Sequence, residues 1–131
     1  MSDVLAFDLA ITYPGFALNA AAEIPLSGIT ALSGPSGSGK TTLLRAVAGL
    51  EHAQGAISFA GDDWTNLTPA ARGIGYVFQD ARLFPHLSVA DNLAFGAIRR
   101  KTAQTDVDAV IDALDLGPLL QRMPENLSGG E

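Results

Sequence analysis

The chain has 131 residues, 47% of them hydrophobic and 17% charged, with a net charge of −6 and no cysteine. That composition fits one soluble domain or part of one, and it excludes disulfides and thiolate metal sites. The acidic balance argues against a broad electrostatic footprint for DNA or RNA, and no run approaches the roughly 18 apolar residues of a membrane helix. The start, Met1-Ser2-Asp3, lacks a basic run ahead of an apolar core, so no secretory signal is expected and the predicted location is cytoplasmic.

Residues 4–13 mix apolar and β-branched side chains in partial alternation and predict a strand. Residues 16–24 predict a second strand, diluted by Asn19 and several alanines. Pro25 and Gly28 punctuate a turn, and 29–33 (Ile-Thr-Ala-Leu-Ser) reads as a short buried parallel strand. From Gly39 the pattern becomes helical, with Leu43, Leu44, Val47 and Leu50 at helical spacing and Gly49 marking the end. Residues 56–60 predict a strand with Gly61-Asp62-Asp63 as its turn, and 74–78 another buried strand. Ser88-Val89-Ala90-Asp91 has the spacing of a capping box and predicts a helix through about Phe95. Val107, Val110, Ile111 and Leu114 fall at i, i+3, i+4 and i+7, an amphipathic helix closed by Gly117-Pro118. Strands alternating with helices predict an α/β architecture, its first strands forming an antiparallel subsheet.

The chemistry concentrates in Gly34-Pro35-Ser36-Gly37-Ser38-Gly39-Lys40-Thr41, which satisfies G-x-x-x-x-G-K-[ST] at every position. Glycines let consecutive backbone N–H groups converge on one anion, and the helix that follows aims its positive end at the same place. In this reading Lys40 bridges β- and γ-phosphates, the Thr41 hydroxyl helps hold Mg²⁺, and Thr42 donates to the α-phosphate. Only two lysines occur, Lys40 and Lys101, and one of them fills the position the motif requires. A chance glycine-rich turn before a helix is the alternative, and the strand–loop–helix context weighs against it. The motif alone does not separate kinases, GTPases, motors and transporters.

Two further segments narrow the field. Residues 73–95, with Tyr76-Val77-Phe78-Gln79-Asp80 at their centre, resemble the Q-loop region of ATP-binding cassette (ABC) proteins. Leu127-Ser128-Gly129-Gly130-Glu131 resembles the signature motif of that family, in which Gln usually fills the last place. The three motifs also stand in the family's order. Within the family, Tyr76 to His86 and Pro118-Leu119-Leu120-Gln121-Arg122 are most similar to the ATPase subunits of molybdate importers.

The resemblance implies a P-loop NTPase core with an N-terminal antiparallel β-subsheet over about 1–80. The start of a helical subdomain follows over about 81–131, truncated at the signature motif. It implies ATP and Mg²⁺ as ligands, with Gln79 near the metal and the attacking water. It assigns Ser128, Gly129 and Gly130 to the nucleotide held by a second copy, in a head-to-tail pair. Ser128 and Glu131 also have capping-box spacing, so the same residues could simply open a helix.

Tyr13 is a candidate for stacking on adenine, with Phe16 as its rival; either could equally be a core aromatic. The implied partner is a transmembrane permease, docked by 80–95 through Leu83, Phe84, Pro85 and Leu87, with the chain peripheral on the cytoplasmic face. Arg99-Arg100-Lys101 reads as a solvated face, His86 as a turn or interface residue and His52 as a loop histidine. Asp62-Asp63 reads as a turn rather than a metal pair.

The resemblance places the catalytic glutamate and switch histidine downstream of Glu131, so 1–131 alone is expected not to turn over. The expected function is uptake of molybdate or a related oxyanion coupled to ATP hydrolysis by the whole subunit. An importer for another substrate, a soluble ABC ATPase in repair or translation, a small-molecule kinase and a remnant without turnover are the alternatives. A kinase leaves residues 127–131 unexplained.

Overall fold

A computed structural model describes residues 3–80 and 82–131, and the side chain of Arg100 is not described. Met1, Ser2 and Ala81 lie outside the described residues; the first two belong to the leader reading and the third to the Tyr76–His86 match. The chain divides into two compact units, Met1–Val77 and Phe78–Glu131.

The first unit is built on a four-stranded antiparallel sheet in the order β2-β1-β3-β4. Strands β1 (Val4–Tyr13) and β2 (Phe16–Pro25) form a hairpin with Tyr13 opposite Phe16. Alternation does the sorting: Phe7, Leu9 and Ile11 are buried while Asp8 and Thr12 face out. The alanines that dilute β2 in sequence stand opposite buried residues of β1, with Phe7 opposite Ala22 and Leu9 opposite Ala20. Strand β3 (Gln54–Phe59) pairs with the other edge of β1, and β4 (Asp62–Asp63) turns back on it. Ala60 and Gly61 both have positive φ, 52° and 90°, as a two-residue type I′ turn requires. Asp62 and Asp63 are therefore paired strand residues opposite Phe59 and Ser58 rather than the turn itself.

Helix α1 (Lys40–Val47) lays Leu43, Ala46 and Val47 against a core of Phe7, Leu9, Ile11, Ile57 and Trp64. It ends as expected of Gly49. That residue has φ 76°, its N–H donates to Ala46 O, and the N–H of Leu50 donates to Arg45 O at 2.8 Å, which together make a Schellman motif. The short helix α2 (Pro69–Arg72) starts on Thr68, whose hydroxyl accepts from the N–H of Ala71.

The strands expected at 29–33 and 74–78 are not formed. Neither run joins the ladder, and Ile29 and Val77 are 100% and 95% exposed. Apolar composition records what a segment can bury, and does not by itself say whether the segment enters a sheet. Among the described residues no parallel pairing occurs.

In the second unit, α3 (Val89–Arg100) runs five residues beyond the expected end at Phe95, and α4 (Gln104–Ala113) follows. The extension has a local cause: the Arg99 guanidinium lies 5.0 Å from the Phe95 ring centre, one turn back. Helix α4 stops at Ala113, and Gly117-Pro118 begins a separate 3-10 turn, Gly117–Leu119. A second such turn spans Pro124–Asn126. The apolar stripe of α4 remains half open, with Val110 and Leu114 exposed.

Candidate functional site

Residues 34–39 form the loop that delivers the chain into α1. Gly39 is its hinge. At φ 92° it adopts a conformation that L side chains rarely take, and a Cβ there would lie 2.9 Å from the Phe16 ring and 3.2 Å from Leu18. The loop is therefore seated directly on β2, and no residue but glycine fits.

The consequence lies in the hydrogen bonds that are not made. No side chain caps Gly39. The first intrahelical bond runs from the N–H of Leu43 to Gly39 O, at 2.8 Å. Among the described residues, the N–H groups of Gly37, Gly39, Lys40, Thr41 and Thr42 have no acceptor within the protein. In the loop only Ser38 N–H is engaged, on Pro35 O at 3.3 Å. Lys40 Nζ donates to Gly34 O at 2.8 Å and Pro35 O at 2.7 Å, so the ammonium is folded back over the loop. A concave run of free donors, a helix N-terminus and one tethered cation suit a polyanion. Pro35, Ser36 and Ser38 complete the loop on its exposed side.

Tyr13 and Phe16 stack at the turn end of the hairpin, 6.1 Å between centroids and 27° apart. Phe16 is the ring that touches Gly39, and Tyr13 lies behind it, 39% exposed. The neighbouring Glu51 carboxylate pushes the Tyr13 hydroxyl above its ordinary range, and Arg45 in turn sits 3.6 Å from Glu51. Sequence reading missed Glu51, whose place beside the hairpin tip carries no local signal.

Gln79 belongs to the second unit and is exposed in a bend. The Arg82 guanidinium lies 4.4 Å from the Phe78 ring centre. Farther along, Asn92 shapes the 84–88 loop: its Oδ1 accepts from Phe84 N–H at 2.8 Å. Its Nδ2 donates to Phe84 O, Leu87 O and Ser88 O at 3.2, 3.1 and 2.9 Å. Phe84 and Phe95 meet edge to face, 4.7 Å apart, beside an apolar hollow also lined by Leu83, Leu93 and Leu119. Asn92 lay inside the Q-loop resemblance, yet nothing in sequence marks it as a hub.

Ser128, Gly129 and Gly130 are exposed, and no helix starts on them among the described residues. Half of the expected capping box is present: Ser128 N–H donates to Glu131 Oε2 at 2.7 Å. That bond first, then the nearby Ser128 hydroxyl, holds the Glu131 carboxyl below its usual range. Arg122, whose Nη1 is 3.6 Å from Glu131 Oε1, adds a smaller pull. No group of three or more His, Cys, Asp or Glu that could hold a metal occurs among the described residues. None of their helices is long and apolar enough to cross a membrane.

An α/β unit with a glycine loop opening onto an uncapped helix has the form of a phosphate-cradle protein. Residues 18–131 match the family described as ABC transporter, and the chain belongs to that family. It is 48% identical over 128 residues to a "Molybdenum import ATP-binding protein ModC" of Thiobacillus denitrificans, covering 92% of this chain and 35% of that protein. A protein of the same name from Rhodopseudomonas palustris is 52% identical over 126 residues, covering 89% and 34%. One from Pseudomonas savastanoi pv. phaseolicola is 47% identical over 140 residues, covering 100% and 39%. The chain thus spans little more than a third of the length of these curated relatives.

Proposed function

We propose that this chain carries the nucleotide cradle of the ATP-hydrolysing subunit of an importer for molybdate or a related oxyanion. The observation that carries the reading is the start of α1, where consecutive N–H groups are left without acceptors beside a tethered lysine. The names of the relatives support the substrate class.

In this reading the loop from Gly34 to Gly39 wraps the phosphates and Lys40 turns from the Gly34 and Pro35 carbonyls to the β- and γ-phosphates. Thr42 donates to the α-phosphate, and Thr41 and Gln79 hold Mg²⁺. Bound Mg²⁺ supplies positive charge to the oxygens between which the phosphoryl group moves. Gln79 suits a place near the metal because an amide accepts from water or coordinates a cation without titrating. Phe16 forms the wall beside the loop, and Tyr13, stacked on it, offers an exposed face to adenine.

Residues 1–80 and 81–131 act as core and helical subdomain. Ser128, Gly129 and Gly130 present N–H groups to the nucleotide of a second, head-to-tail copy. The permease docks on 80–95, where Leu83 and Phe84 are 43% and 40% exposed. The whole assembly works at the cytoplasmic face of the membrane.

The test is the affinity of the whole subunit for Mg²⁺-ATP after Lys40→Ala. Losing a charge-assisted contact should raise the dissociation constant about 10- to 100-fold. An unchanged constant would remove the cradle from the function.

A further inference from the structure

Arg72 is the only buried charged residue among those described, 8% exposed. Its guanidinium makes four hydrogen bonds, every one to a backbone carbonyl. Nη1 donates to Ala46 O at 2.9 Å and Val47 O at 2.6 Å, Nη2 to Trp64 O at 3.0 Å and Nε to Leu67 O at 3.3 Å. Among the described residues no carboxylate pairs with it. Burial alone pulls its pKa down.

A buried cation without a counter-ion is costly unless something else supplies negative potential. Here the carbonyl end of α1 does so, since Ala46 and Val47 form its last turn. Trp64 and Leu67 lie in the segment that follows β4, so one side chain ties the end of the helix to the sheet side of the unit. The Arg72 guanidinium also lies 6.0 Å from the centre of the Trp64 ring, which itself stacks on Phe59 at 4.5 Å. Helix α1 has eight residues and so is only about 12 Å long. Over that length a tilt at one end shifts the other, and the other end carries the free N–H groups. Gly39 on Phe16 and Leu18 fixes the front, and Arg72 fixes the back.

We propose that Arg72 is a positioning residue for nucleotide, aiming the N–H groups at the start of α1 by clamping its last carbonyls; the proposal rests on the cradle reading above. A role confined to stability would lower the melting temperature and leave the affinity of the folded protein alone. Positioning changes affinity at temperatures where every molecule is folded.

The experiment measures binding of a non-hydrolysable ATP analogue with Mg²⁺, alongside thermal melting, in the chain as the cell makes it. Arg72→Lys keeps the charge, but a single ammonium cannot span the α1 carbonyls and Trp64 O together. The expected result is a dissociation constant raised about tenfold. The control is Leu5→Ala, a partly buried change at the far end of β1 that lowers the melting temperature without touching α1. An equal effect of Arg72→Lys and Leu5→Ala on affinity, including none, overturns the proposal.

Should Arg72→Lys not fold, Gly49→Ala attacks the same clamp, because its Cβ would lie 3.0 Å from Arg72 Nε and 3.1 Å from Cζ. Weakened binding then supports positioning, and wild-type binding refutes it. Lys40→Ala run beside them separates the two failures. Wild-type affinity there removes the cradle reading itself. A loss there, with Arg72→Lys binding as tightly as wild type, removes the role of Arg72 alone.

Discussion

At the start of α3 every N–H group is matched to an oxygen of this chain, whereas at the start of α1 none of the first three is matched among the described residues. Val89 N–H donates to Arg122 O at 3.0 Å, Ala90 to Leu120 O at 2.9 Å and Asp91 to Ser88 Oγ at 3.1 Å. The fourth, Asn92, makes the first intrahelical bond to Ser88 O. At α1 the corresponding fourth bond exists, from Leu43 to Gly39 O, but Lys40, Thr41 and Thr42 find no partner. The two starts differ in what surrounds them. At α3 the cap serine accepts one N–H and the Leu120 and Arg122 carbonyls accept two more. The glycine at the α1 cap has no side-chain oxygen to offer, and no carbonyl of the described residues takes its place. A helix start that its own chain satisfies is a structural joint, and one left open in an exposed loop is available to an external anion.

The largest effect is expected where the open start is most constrained. Gly39→Ala forces an alanine into φ 92° and against the Phe16 ring. Strain and overlap together should cost roughly 2–4 kcal/mol. Thermal melting and nucleotide titration should both suffer, and a variant that melts early yet binds ATP normally would break the comparison.

On the closed side, Asn92→Ala removes an acceptor and a donor that together hold Phe84, Leu87 and Ser88. That should cost about 2 kcal/mol with nucleotide affinity unchanged. If the permease docks on this loop, stimulation of the ATPase by the permease should fall in the same variant. Ser88→Ala is the milder cut. Losing one cap should cost about 1 kcal/mol, visible as faster hydrogen exchange at Asp91. Weaker ATP binding in either variant would show that the two helix starts are not functionally separate.

Much of this contrast can be read in the sequence. The glycine-rich loop, the cap at Ser88 and the stop at Gly49 are local signals, and each stands where periodicity and residue type put it. The hairpin of β1 and β2 is likewise legible, because Phe7, Leu9 and Ile11 alternate with the smaller or polar Asp8, Ala10 and Thr12. What sequence could not supply is pairing at a distance. Residues 29–33 and 74–78 look like buried strands, yet nothing in either run says which backbone will accept its hydrogen bonds. Arg72 was invisible for a related reason. An arginine three residues after a proline reads as surface, and only the fold brings the last carbonyls of α1 over it. Glu51 at Tyr13 and Arg122 at Glu131 are contacts of the same kind.

The Ser128 segment, which opens no helix, lies between these two cases, and its response to pH is the smallest effect expected. Ser128 N–H is held by the Glu131 carboxylate, so the anion that satisfies it belongs to this chain and can be titrated away. The folded form binds that proton less readily than the unfolded form, since the Ser128 N–H and hydroxyl hold the carboxyl low. The contribution is therefore fully present above the ordinary glutamate value of about 4.3 and lost as pH falls through the lower folded value. Following the Glu131 carboxyl carbon by NMR should show a midpoint below that of an unstructured glutamate. The amide signal of Ser128 should move in step with it. Glu131→Gln keeps an acceptor for the same N–H but has no proton to gain, so the Ser128 shift should become flat across this range. A Ser128 titration that survives the substitution would mean that another group holds the segment, which would then resemble the start of α3, a joint closed by fixed contacts.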